Sequence, residues 1–149
     1  MGREAASRLE EAGRTDGIDI RFRDSAIARV QADEGKVRQI VFNLLLNAVE
    51  AVREPDAAAP IVEISWCEKN GLAWLQIDDH GPGIRPDVLE RLFEPFFTTR
   101  SKGHGLGLAI ARTLARAHGG EIHLEPRPGG IGTRASLSLP LDAAKPRAA

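Results

Sequence analysis

Residues 34–53 constrain the architecture more than any other stretch of this 149-residue chain. Val37, Ile40, Val41, Leu44, Leu45, Ala48 and Val52 recur at i, i+3, i+4, i+7, i+8, i+11 and i+15, the spacing of one helical face. Asp33 stands where an N-cap belongs. Gln39, Asn43, Asn47 and Glu50 fall together on one flank of the apolar stripe. Asparagine is a modest helix former, so a pair four residues apart beside a core stripe asks for a reason. Either the amides bond locally, or their oxygens reach a hard cation such as Mg²⁺.

The flanking segments read mostly as strands. Ile18, Ile20 and Phe22 alternate with Asp19, Arg21 and Arg23, and Ala28–Ala32 is read as a second short strand pairing with them as a hairpin. Ile61–Cys67 and Leu72–Asp78 flank the turn signal Lys69-Asn70-Gly71. Glu121–Glu125 and Thr133–Leu139 close the fold. Pro86–Arg91 reads as a short helix, and a further helix runs from Leu106 through Ile110, Leu114 and Ala117 to the stop at Gly119-Gly120. Met1–Gly17 is a helix remnant or linker, and Asp142–Ala149 a frayed tail. Amphipathic helices alternating with hairpins predict an α/β (α+β) two-layer sandwich. Its sheet would be mixed, mainly antiparallel and of about five strands, with about three helices on one face.

Composition excludes several functions. The net charge of −1 gives no electrostatic reason for nucleic acid or an anionic membrane surface. A single cysteine, Cys67, rules out an internal disulfide and a cysteine zinc cluster, and it reads as a small buried hydrophobe in a reducing, cytoplasmic setting. No apolar run approaches the ~20 residues that span a bilayer.

Two glycine-rich stretches carry chemistry. Asp79-His80-Gly81-Pro82-Gly83-Ile84 puts a carboxylate at a strand end before a turn that lets a flat heterocycle approach; a plain turn aspartate is the alternative. Lys102-Gly103-His104-Gly105-Leu106-Gly107-Leu108 precedes a helix, where backbone N–H groups suit phosphate. It is neither the dinucleotide fingerprint nor a P-loop, and a plain turn is again the alternative. Leu92–Arg100 holds three of the five phenylalanines, either tucked under the loop or serving as a latch.

In order, these motifs resemble the boxes of histidine kinase catalytic domains. Asn43-Leu-Leu-Leu-Asn47-Ala48 resembles the N box, Asp79–Ile84 the G1 box, Phe93-Glu-Pro-Phe96-Phe97 the F box and Gly103–Leu108 the G2 box. Gly130-Ile-Gly132-Thr133 is similar to the final glycine-threonine element. The Phe-Phe-Thr-Thr-basic run at Phe96–Arg100 looks most like the nitrogen-regulator type of sensor kinase.

The resemblance implies the Bergerat ATP-binding fold over residues 18–141, with a mobile lid at about residues 85–104. It implies ATP and Mg²⁺ as ligands. Asp79 would accept from the adenine amino group, with Gly81, Gly83, Ile84 and Thr133 lining the pocket. Asn47 would hold Mg²⁺, and Asn43 would help with metal or phosphates; these two would be the catalytic pair. Phe97, Arg100, Lys102, Gly103, His104, Gly105, Leu106, Gly107 and Leu108 would complete the ATP site from the lid. Two positions depart from the pattern: His104 replaces a common Ser or Thr, and Glu50 a common lysine.

None of His80, His104, His118 and His123 has the context of the family's phospho-accepting histidine. The expected partners are therefore a dimerisation and histidine-phosphotransfer helical domain of the same kinase, whose linker would end in residues 1–17, and a response regulator receiver domain. The fragment itself would be monomeric and cytoplasmic, phosphorylating itself little; any membrane anchor of the parent would lie outside it. The rival readings are an ATPase switch or anti-sigma-type serine kinase of the same fold, both of which carry glutamate at the position of Asn43, and a module that only binds nucleotide.

Overall fold

A computed structural model describes residues 2–23, 30, 32–97 and 107–141. Helix α1 spans Gly2–Glu11, strand β1 Asp19–Arg23, helix α2 Glu34–Val52, strands β2 Ile61–Lys69 and β3 Leu72–Asp79, and helix α3 Pro86–Leu89. A 3₁₀ turn, Glu90–Phe93, follows, then helix α4 Gly107–Ala117 and strands β4 Glu121–Pro126 and β5 Thr133–Pro140. The expected class is present, with four α-helices among the described residues where about three are expected.

The five strands lie in the order β1-β2-β3-β5-β4. β1 and β2 are parallel and every other pair is antiparallel. The expected hairpin between β1 and Ala28–Ala32 is wrong. β1 pairs with β2, Ile20 opposite Val62 and Phe22 opposite Ile64, while Val30 bridges to Leu141. The reason is the crossover: α2 carries the chain back over the sheet, so β2 enters alongside β1 in the same direction. Residues 28, 29 and 31 of that expected strand, residues 24–27 before it and the 142–149 tail lie outside the described residues.

α2 is the central helix. The Oδ1 of Asp33 accepts from the Lys36 N–H at 3.0 Å, as an N-cap should. All seven apolar residues of the predicted stripe are buried, and they meet Val62 and Ile64 of β2, Leu75 and Ile77 of β3 and Leu137 and Leu139 of β5 in one core. The β2–β3 hairpin closes on two residues in the left-handed region, Asn70 at φ 55° and Gly71 at φ 75°. Asparagine tolerates that conformation and glycine pays nothing for it.

Two helices depart from expectation. α1 is part of the core: Ala5, Ala6 and Leu9 are buried, and Arg3 and Arg8 lie over the Phe22 and Phe42 rings. In α4 the fully buried positions are Ala111 and Ala115, whereas Ile110 is 43% exposed. Small side chains let α4 lie close to α2, and this rotates Ile110 outward. The helix stops at Gly119, φ 74°, with the Gly120 N–H donating to the Ala115 carbonyl. Cys67 is half-buried, on the sheet face away from the helices, opposite Trp74. No described helix is long and apolar enough to cross a membrane.

Leu44→Ala should cost about 2–5 kcal/mol, because Leu44 is 1% exposed at the α2–sheet contact and truncation leaves a cavity. Urea denaturation followed by circular dichroism measures it; a loss below about 1 kcal/mol would mean that the helix is not held by this core.

Candidate functional site

The site grows from the C-terminal end of β3. Asp79 faces the helical layer and is 6% exposed. Its Oδ1 accepts from the Gly81 N–H at 3.0 Å and the Thr133 N–H at 3.3 Å. The buried carboxylate thereby binds its own turn to the start of β5, where Thr133 lies opposite it in register.

The glycines around this carboxylate are dictated by space. A Cβ on Gly81 would lie 2.9 Å from Asp79 Oδ1 and 3.0 Å from Ala51 Cβ. A Cβ on Gly132 would lie 2.0 Å from the Asp79 carbonyl oxygen, and Gly132 has φ +136°. Gly83 has φ +83°, and a Cβ on it would lie 3.7 Å from the Gly132 carbonyl oxygen. Ile84 follows, half-buried. A Cβ-free cradle thus lies beside the carboxylate, suited to a flat ring.

α2 links this cradle to the other half of the site. Asn43, Asn47 and Ala51 follow at four-residue intervals along one side of the helix. Ala51 meets Gly81 at one end. At the other, Asn43 Nδ2 donates to the Gly107 carbonyl of α4 at 3.2 Å, and Asn43 Oδ1 accepts from Gln39 Nε2 at 3.1 Å. The rise from Asn43 to Ala51 is about 12 Å. Asn43 is 8% exposed and Asn47 is half-buried between these two ends.

Asn43 and Asn47 offer amide oxygens, the hard donors that Mg²⁺ takes. Asn43 already spends one amide on α4 and Gln39, so Asn47 fits a metal better. Glu50, one turn further, faces Arg14 at 3.6 Å. Arg53 Nε and Nη2 both donate to the Arg14 carbonyl, so the chain after α1 is tied to the end of α2.

The described part of the expected lid, residues 85–97, carries its phenylalanines unequally. Phe93 packs against the core beneath the Arg112 guanidinium, and Phe97 lies under that of Arg91. Phe96 is 76% exposed at φ 66°. Gly107 opens α4, and Leu108 is half-buried against the core. Arg100, Lys102, Gly103, His104, Gly105 and Leu106 lie outside the described residues. Asp79, Gly81, Gly83 and Thr133 therefore come together at the C-terminal end of α2, and Asn43 meets Gly107 at its middle, with Asn47 between.

Ala51 and Arg134 were not legible as site residues. Ala51 has no functional group; only its contact with Gly81 gives it a part. Arg134 binds Asp78 through two hydrogen bonds, of 2.7 and 2.9 Å, on the opposite face of the sheet. That bond to Asp78 raises the Arg134 pKa further above its ordinary value, against the opposing effect of burial. The pair locks β3 to β5 one residue before Asp79. Its signal was an Asp-Asp dipeptide in one strand and Thr-Arg in another, which has no meaning before the strands are paired.

A family model described as histidine kinase-, DNA gyrase B-, and HSP90-like ATPase matches residues 32–143. Sensor histidine kinase ZraS of Escherichia coli O157:H7 is 33% identical over 126 residues, covering 84% of this chain and 26% of that protein. The C4-dicarboxylate transport sensor protein DctB of Rhizobium meliloti is 39% identical over 121 residues, covering 80% of this chain and 19% of that protein. The chain thus spans about a quarter or less of the length of these relatives. The catalytic domain of histidine kinase ThkA superposes with a TM-score of 0.78 at 31% identity, covering 93% of this chain and 89% of that one. A full-length ShkA structure in complex with AMPPNP superposes with a TM-score of 0.76 at 31% identity, covering 93% of this chain and 29% of that one.

Gly132→Ala should lower stability by more than about 2 kcal/mol, since its Cβ meets backbone and its φ is unfavourable. Gly107→Ala, whose Cβ meets nothing within 4 Å, should stay within about 0.5 kcal/mol of the parent chain. Paired thermal melts compare them, and equal losses would remove Gly132 from its place beside Asp79.

Proposed function

This chain belongs to the family of histidine kinase-, DNA gyrase B- and HSP90-like ATPases as a catalytic domain of the sensor histidine kinase kind, and from that premise we propose that it delivers the γ-phosphate of ATP to a histidine on a separate helical domain. The observation that carries the proposal is the arrangement along α2. One side of a single rigid helix touches a buried carboxylate cradle at Ala51 and the first residue of α4 at Asn43. A nucleotide laid along it would have its base by Asp79 and its phosphates by the start of α4.

Each residue then has a task that its surroundings allow. Asp79, oriented by two backbone N–H groups, would accept from the adenine amino group, and Gly81, Gly83, Ile84 and Thr133 would bound the ring. Asn47 would hold Mg²⁺, which when bound neutralises phosphate charge. Asn43 would keep the start of α4 in place, where its backbone N–H groups can receive phosphate oxygens. Phosphoryl transfer asks for positioning and charge neutralisation rather than covalent help, and these residues supply positioning.

Asn43 also favours transfer over hydrolysis. An amide cannot take a proton from water, and Glu50 on the same flank is turned to Arg14. The acceptor would come from elsewhere. His118 Nδ1 lies 2.8 Å from the Leu114 carbonyl and His123 stacks on Trp74, both in structural contacts. The partners proposed are accordingly the kinase's own phosphotransfer helices and a receiver domain beyond them, in the cytoplasm. Arg100 and Lys102 are proposed as the lid's cations, with Gly103, His104, Gly105 and Leu106 closing over the phosphates and Phe97 and Leu108 flanking them.

Calorimetry with an ATP analogue tests the site. Asp79→Asn should weaken binding by about 1–3 kcal/mol, and unchanged affinity would remove Asp79 from it. Asn47→Ala should lose the Mg²⁺-dependent part of the affinity; an equal loss without Mg²⁺ would point to misfolding. Mixing the chain with a separately made helical domain that carries the acceptor histidine should label that histidine from ATP. Binding without transfer would leave a nucleotide-binding module.

A further inference from the structure

His80 follows Asp79 directly, yet it lies on the other side of the sheet. Alternate residues of a strand face opposite ways, so His80 follows Asp78 and Glu63 outward while Asp79 faces inward. It cannot touch a base held by Asp79. It is nonetheless heavily anchored. Its N–H donates to the Ile61 carbonyl at 3.0 Å, and its carbonyl accepts from the Ala58 and Ala59 N–H groups at 2.9 and 3.1 Å. Its Nε2 lies 2.8 Å from Glu63 Oε1, with side-chain exposures of 16% and 23%.

We propose that His80 and Glu63 form a positioning pair that holds the Asp79–Gly83 turn in its receiving geometry. The proposal rests on the nucleotide reading of the site. The turn is a short glycine-rich link that meets β2, the start of β5 and Ala51. His80 is the residue through which it is fastened to β2 and to the loop before it. If the fastening loosens, the competent population falls and apparent affinity falls by the same fraction.

The charges around the pair favour its acceptor form. Glu63 lies between Arg21, its register partner on β1, and Arg23, 3.7 Å from its other oxygen. On β3 it faces Asp78, whose charge is taken by Arg134 of β5. The hydrogen bond with His80, opposed by burial and aided by the charges of His80, Arg23 and Arg21, holds the Glu63 carboxyl below its ordinary range. Glu63 is therefore held as a carboxylate, the stronger acceptor for a ring N–H of His80.

The test compares the parent chain with Glu63→Ala and His80→Ala, which remove the bond, and with Glu63→Gln and His80→Gln, which keep a hydrogen-bonding amide in its place. Affinity for an ATP analogue at constant Mg²⁺ and constant pH should fall about threefold in the alanine variants, the scale of a partly exposed pair, and recover most of that loss in the glutamine variants. Amide exchange at Gly81 and Gly83 in the nucleotide-free chain should speed up in the alanine variants and less in the glutamine ones. Unchanged affinity and exchange, or no rescue by glutamine, would overturn the pair while leaving the site intact. A parent chain that binds no nucleotide would overturn the functional reading, and the pair's part in it.

Discussion

The buried carboxylate of Asp79 is the interaction on which this architecture turns. A carboxylate removed from water must be compensated by donors, and here backbone N–H groups from its own turn and from β5 supply them. That requirement draws the Gly81 turn inward beside Ala51 of α2 and brings Gly132 against the Asp79 carbonyl. Side chains larger than hydrogen at Gly81 or Gly132 would push these parts away. The polar centre and the packing around it are thus one solution to one problem.

α2 extends the consequence across the molecule. Its apolar face is held by the sheet, so its polar flank has little freedom to rotate. The flank therefore carries a fixed ruler, from the cradle at Ala51 to the α4 contact at Asn43. α4 in turn is close enough to be reached by an asparagine because its facing residues are Ala111 and Ala115. Small side chains in the core and an amide at its edge cooperate in setting where α4 begins.

The opposite face of the sheet braces the same place. Arg134 and Asp78 fix the β3–β5 register, and Glu63 and His80 tie the end of β3 to β2. Charged pairs on exposed sheets usually add little stability. These are partly buried and sit behind the site, so their effect is on geometry. At the same end of α2, Arg53 holds the chain that follows α1, which sets the N-terminal helix against the same core.

Much of this could be read from the residues in order. The α2 stripe, its Asp33 cap, the Asn70-Gly71 turn and the closing strands each depend on local periodicity or local backbone preference, and each is found in the structure. The motif order likewise carried the family, because its boxes are short and their chemistry is local. What the chain order could not supply was partnership. The parallel pairing of β1 with β2, the burial of α1, the outward turn of Ile110 and the parts taken by Ala51, Arg134 and Gly132 depend on residues far apart in sequence. Side-chain pattern states which face is apolar, but close packing of small residues, the hand of a crossover and the demands of one buried charge decide which neighbours that face meets.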